Sequence, residues 1–165
     1  MLWLCSIGHD VIGVEISQRA VEDFFTENNL KPECSDQGKF IRYESDNLTI
    51  LCGDFFDLEK NHLRNPRAVY DRAALIALPE SLRRRYIDHL NSILSQKTEI
   101  LLVTLEYPPD EMDGPPFPVT EDEVREQFSD REKIKVLGEQ DVLDTSPRFK
   151  ERGLTSLIEK AYRIL

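Results

Sequence analysis

The stretch Ile100–Leu105 reads ILLVTL, and it limits the fold more than any other part of the chain. A short, unbroken, β-prone apolar run predicts a strand covered on both faces, as in sheets flanked by helices. Shorter runs of the same kind stand at Val11–Val14, Leu48–Cys52 and Ala68–Tyr70. Helical patterns separate them. Ser17 is a candidate N-cap, followed by Val21, Phe24 and Phe25 at i, i+3, i+4 spacing. Over residues 80–96, Leu82, Tyr86, Leu90, Ile93 and Leu94 line one side of a second helix. Thr120-x-x-Glu123 predicts a capping box for a short helix carrying Val124 and Phe128. Met1–Ile7 reads as the end of a helix stopped near Gly8. Residues 31–47 are polar and read as loop, and so does YPPDEMDGPPFP, which holds five of the nine prolines. Lys133–Leu137 and Leu154–Leu165 read as two final strands with no helix between them, able to pair antiparallel at one edge. The order predicts an α/β open sheet, mostly parallel.

Charge narrows the partners. The 165 residues carry a net charge of −10, which repels phosphate backbones and anionic lipid. Neither nucleic acid nor a membrane is therefore expected as partner. The one dense basic spot, Arg83-Arg84-Arg85, reads as a solvated helix face. Cys5, Cys34 and Cys52 are odd in number and form no CxxC, and His9, His62 and His89 share no ligand spacing. A reduced, metal-free, cytoplasmic protein is expected. No run reaches the ~18–20 apolar residues of a membrane span, and the start, Met-Leu-Trp-Leu-Cys, lacks a charged signal-peptide region.

In open α/β sheets, ligands bind outside the carboxyl ends of the strands. Three such ends are polar here: Glu15, Gly53-Asp54 and Asp71-Arg72. Two readings of Glu15 stand level. Its carboxylate can accept both hydroxyls of a ribose in charge-assisted bonds, or it can simply favour the first turn of the next helix. Asp54 reads equally as a turn residue. Asp71-Arg72 reads equally as a surface ion pair, worth ~0–1 kcal/mol.

Five segments, GHDVIGVEIS, LTILCGDFFDL, VYDRAAL, DGPPFPV and RFKERGLTSLIEKAYRIL, resemble in order and spacing the thiopurine S-methyltransferase family. DRAAL and GPPF are the most diagnostic, and the likeness runs over essentially the whole chain. The resemblance implies a Rossmann-like class I methyltransferase fold and S-adenosylmethionine as methyl donor. It also implies a monomer and a small-molecule thiol acceptor: a thiopurine, another aromatic heterocyclic thiol, or a selenium or tellurium compound. By position, Glu15 and Ile16 match the ribose-binding pair, and Asp54 and Phe55 the adenine-contacting pair. Arg72 matches the arginine beside cofactor and acceptor, and Arg148 an arginine near the acceptor. Pro115, Pro116 and Phe117 match the loop that walls the acceptor pocket. Family members usually show a small polar and an aliphatic residue where this chain has Asp54-Phe55.

The family's first strand, the glycine-bearing loop after it and a segment covering the pocket would fall before Met1. The resemblance therefore implies one methyltransferase domain over 1–165 that lacks its N-terminal part, with two inner strand edges left unpaired. A thiolate needs little base catalysis, so an arginine holding an anionic acceptor, Arg148 before Arg72, accounts for a site with no nucleophile or histidine base. Two other readings stay open. A dehydrogenase-type Rossmann domain fits strand, acid and helix, but GxGxxG is missing and DRAAL and GPPF go unexplained. A non-enzymatic remnant that lost cofactor binding is the other.

Overall fold

Strand β1, Val11–Glu15, runs parallel to β4, Leu48–Cys52, so that Glu15 lies opposite Cys52. Both belong to the first of two units, Met1–Leu63 and Arg64–Leu165, in the computed structural model of residues 1–165. In this unit α1, Leu2–Ser6, ends before Gly8, whose φ of +93° suits a residue without Cβ. Helix α2, Gln18–Glu27, is capped as expected: the Ser17 hydroxyl accepts from the Ala20 N–H at 3.3 Å. Its Val21 and Phe25 pack on Tyr43, Leu48, Ile50 and Cys52.

Residues 31–47 are not a loop. They form an antiparallel hairpin of β2, Glu33–Asp36, and β3, Ile41–Ser45, which extends the sheet in the order β1-β4-β3-β2. Strand β2 is exposed along its whole length, so it carries no apolar alternation to read. Backbone pairing makes it a strand, and the turn is set by Gly38 at φ +77°, whose N–H meets Asp36 Oδ1 at 2.8 Å.

The second unit holds a sheet in the order β5-β6-β8-β7. Strand β5, Ala68–Arg72, is parallel to β6, Glu99–Glu106, while β8, Ile158–Ile164, is antiparallel to both β6 and β7, Ile134–Asp141. The antiparallel edge is thus present, although a short helix, α5, Pro147–Glu151, interrupts the segment between β7 and β8. Strand β6 is not covered equally on both faces. Ile100, Leu102 and Thr104 are buried, whereas Leu101 is 38% exposed.

Helix α3, Glu80–Ile93, buries Tyr86, Ile87, Leu90 and Ile93 but leaves Leu82 exposed, because Arg83 takes the inward position. The Arg83 guanidinium forks onto both oxygens of Glu123 at 2.5 and 2.9 Å and also reaches Leu78 O. The basic run is therefore not one solvated face: Arg83 is a buried cation, and Arg84 pairs with Asp88 in solvent. Helix α4, Glu121–Gln127, starts at Thr120, whose hydroxyl accepts from Glu123 N. The Glu123 side chain serves Arg83. No helix is long and apolar enough to cross a membrane.

Candidate functional site

In the first unit, two strand ends form one rim. The Ser17 N–H donates to Glu15 Oε1 at 2.8 Å, and the Gly53 N–H donates to Glu15 O at 2.9 Å. Glu15 thus does steady the entry to α2, as one reading of it required. That bond uses one of about four lone-pair positions on a carboxylate. Asp54 follows Gly53, and its Oδ1 accepts from the Phe56 N–H at 2.9 Å, capping the 3₁₀ turn Phe55–Asp57. Ile16 is 72% exposed beside them, and Phe55 meets Phe56 edge-on.

Glu15 also lines a cavity of about 190 Å³ with Met1, Gly13, Val14, Phe24 and Ile50 among its walls. A Cβ at Gly13 would lie 2.7 Å from Met1 Sδ, so the Met1 thioether packs directly on the β1 backbone where a side chain would otherwise stand. A carboxylate with spare acceptor sites beside apolar walls fits the sugar of a nucleoside.

The second unit contains a larger cavity, about 800 Å³. Its frame begins at the end of β5. Asp71 is 3% exposed and accepts from the Tyr86 hydroxyl at 2.8 Å and the Leu75 N–H at 3.2 Å. Burial pushes the Asp71 carboxyl up, against the bonds from Tyr86 and the Leu75 and Ala74 amides that pull it down. Burial next to that carboxylate pushes the Tyr86 phenol far upward. Asp71-Arg72 is therefore no surface ion pair. Asp71 is a buried pin, and Arg72 pairs instead with Glu159, Nη2 to Oε2 at 3.5 Å. Ala73, at φ +69°, makes the turn into the 3₁₀ segment Leu75–Ala77.

Val103, Leu105 and Leu157 line one side of this cavity, and Val142, Thr145, Ser146 and Phe149 line another. The proline-rich loop contributes Pro116. That loop is fixed at two points: the Phe117 N–H donates to Ile76 O at 2.7 Å, and the Tyr107 hydroxyl donates to Pro116 O at 2.5 Å. Gly114, at φ +72°, has no room for a Cβ, which would sit 2.5 Å from the Phe117 ring.

Of the residues singled out from sequence, Arg72 and Pro116 line the large cavity. Pro115 and Phe117 belong to its loop but are not part of the lining. Arg148 is exposed on α5 and lies outside the lining too. Ser146 and Phe149, three apart, share the face that does line it, and a helical neighbour at ~100° per residue is turned aside. Glu159, Thr145, Ser146 and Phe149 were not anticipated. For Glu159 the available signal was strand alternation in IEKAY, which sends Glu159 and Lys160 to opposite faces.

A family model described as thiopurine S-methyltransferase matches residues 1–165. A thiopurine S-methyltransferase of Pseudomonas paraeruginosa is 48% identical over 162 residues, covering 98% of this chain and 74% of its own. One from Nitrosospira multiformis is 46% identical over 165 residues, covering 100% and 75%. Among solved structures, a SAM-dependent methyltransferase from Anabaena variabilis superposes with a TM-score of 0.65 at 15% identity, covering 98% of this chain and 70% of that one. The last likeness shows the fold, a Rossmann-like class I methyltransferase sheet. A dehydrogenase reading finds no support in these likenesses.

Proposed function

Since the chain belongs to the thiopurine S-methyltransferase family and is a methyltransferase, we propose that it moves a methyl group from S-adenosylmethionine to the sulfur of a small aromatic or heterocyclic thiol. The donor, when bound, supplies an electrophilic methyl on a sulfonium. Glu15 would accept the two ribose hydroxyls with Ile16 beside the sugar, and Asp54 and Phe55 would lie against the adenine.

The acceptor's place is the cavity of the second unit, whose volume of about 800 Å³ falls within the ~300–1,000 Å³ common for small-molecule sites. Val103, Leu105, Phe149 and Leu157 offer a flat ring an apolar bed and keep water from it. Arg72 is always charged and faces the sulfur as it carries negative charge. An ordinary thiol ionises near pH 8.5, and an aromatic one more readily, so no histidine base is needed. Orientation of this kind supplies ~7–11 kcal/mol of a reaction barrier.

The observation that carries this reading is the apolar cavity with Arg72 on it. Calorimetry with S-adenosylhomocysteine and mass spectrometry of an aromatic thiol incubated with protein and donor test it. Binding and an S-methyl product are expected. The absence of both binding and product would overturn it.

A further inference from the structure

Glu159 is a carboxylate in a cavity that otherwise suits an apolar ring, and the methyl-transfer reading gives it no task. Its position follows from strand pairing. Arg72 is opposite Val103 across β5 and β6, and Glu159 is opposite Leu105 across β6 and β8. Val103 and Leu105 lie two apart on β6 and share one face. Guanidinium and carboxylate therefore lean toward each other over the middle strand, from the strands on either side. They meet through one contact of 3.5 Å, at the outer limit of a hydrogen bond and far from the two-point fork such a pair can form. Each keeps bonding capacity for something else. A cation and an anion side by side on an apolar bed complement a ring edge that presents an acceptor next to a donor.

We infer, resting on the methyl-transfer reading above, that Glu159 accepts the ring proton of heterocycles that carry N–H beside C=S. In water such thiols favour the thioamide form, whose nitrogen holds the proton that the thiol form would hold on sulfur. Arg72 takes the sulfur of that edge and Glu159 the N–H. As the acceptor's sulfur gains the methyl, an S–CH₃ bond forms and the methyl's bond to the donor sulfur breaks, leaving a neutral thioether. The ring N–H bond breaks at the same time. Its electron pair stays on nitrogen to complete a C=N bond, and the proton passes to the Glu159 carboxylate, which later yields it to water. Positioned proton transfer of this kind is worth about 10²–10⁴-fold in rate. A plain aromatic thiolate has no N–H, so Glu159 takes no proton in its methylation.

The test compares purine-6-thione with 4-nitrothiophenol in wild-type protein, Glu159→Gln and Glu159→Asp. For the thione, E159Q should lower kcat/KM about 100-fold, with E159D recovering part of it. For the thiophenol no comparable loss is expected, and the ratio between the two acceptors is the readout. Titration without donor, followed by absorbance, should show E159Q binding the thione about tenfold more weakly, with no comparable loss for the thiophenol. One arm needs no variant: wild-type protein should bind a thione whose ring nitrogen is methylated about tenfold more weakly than its N–H parent. Equal losses on both acceptors, no loss on the thione, or equal binding of the N–H and N–methyl thiones would overturn the inference. Should wild-type protein methylate the thiophenol and not the thione, the inference fails and the proposed function stands. If it methylates neither, the proposed function fails and the inference falls with it.

Discussion

The Tyr86 hydroxyl donates to Asp71 Oδ2 at 2.8 Å, with both residues buried. This bond fixes the end of β5, and with it Arg72, against α3. Tyr86→Phe leaves a buried carboxyl short of one donor, and a loss of ~1–3 kcal/mol is expected. The sign with pH follows from the direction of the Asp71 shift. Burial raises the folded pKa, so its contribution is full below the unfolded value and is lost as pH rises through the folded one. The Tyr86 bond opposes that rise, and its removal extends it. Urea unfolding at about pH 4 and pH 7 should show the larger Y86F deficit at pH 7.

Glu15→Gln keeps an acceptor for the Ser17 N–H but removes the charge. Hydrogen bonds to charged groups contribute ~1.5–3 kcal/mol. Affinity for S-adenosylhomocysteine should fall about 10–100-fold, with the melting temperature little changed. Calorimetry and a melting curve on the same sample separate the two effects.

Adjacent arginines should behave differently. Arg83→Ala strands Glu123 without its fork and opens a void under α3, and a cost of ~3–5 kcal/mol is expected. Arg84→Ala breaks only an exposed i, i+4 pair, worth ~0.3–0.5 kcal/mol. Denaturant midpoints of the two variants check this, and equal values would remove the buried role given to Arg83.

Gly53 and Gly138 make a similar contrast. A Cβ at Gly53 would sit 2.5 Å from Phe40 Cδ1 and 2.6 Å from Lys39 O, while nothing lies within 4 Å of one at Gly138. Gly53→Ala should cost ~1–3 kcal/mol through forced shifts in the hairpin. Gly138→Ala should stay within ~0.5 kcal/mol.

Lys160 faces Glu106 at 3.1 Å and Glu121 and Glu139 at 3.6 Å. Burial alone would lower its pKa, yet the bond and charge of Glu106 carry it upward. Its contribution is therefore present below the unfolded lysine value of ~10.4 and lost as pH rises through the folded one. Lys160→Met should destabilise by ~1–3 kcal/mol near neutral pH, and wild type and variant should converge in alkali.

Local chemistry wrote much of this into the sequence. Ser17 caps α2, Thr120 caps α4, and β1, β4, β5 and β6 lie where short apolar runs placed them. These features depend on neighbours within a turn or on the pleat of a strand, so residue order alone fixes them. The acid at the end of β1 was legible for the same reason.

Tertiary structure decided the rest, because each remaining point rests on groups far apart in the chain. Strand β2 exists through backbone bonds to β3, which leave no trace in side-chain pattern. Arg83 turned inward because Glu123, forty residues on, was there to meet it. Arg148 stayed outside the cavity, since the helix face that lines it belongs to Ser146 and Phe149. Glu159 and Lys160 are neighbours of opposite charge that read as a local pair. The pleat of β8 parts them, sending one to Arg72, 87 residues away, and the other to Glu106. Only the register of β5, β6 and β8 could decide that, and register is a property of the assembled sheet.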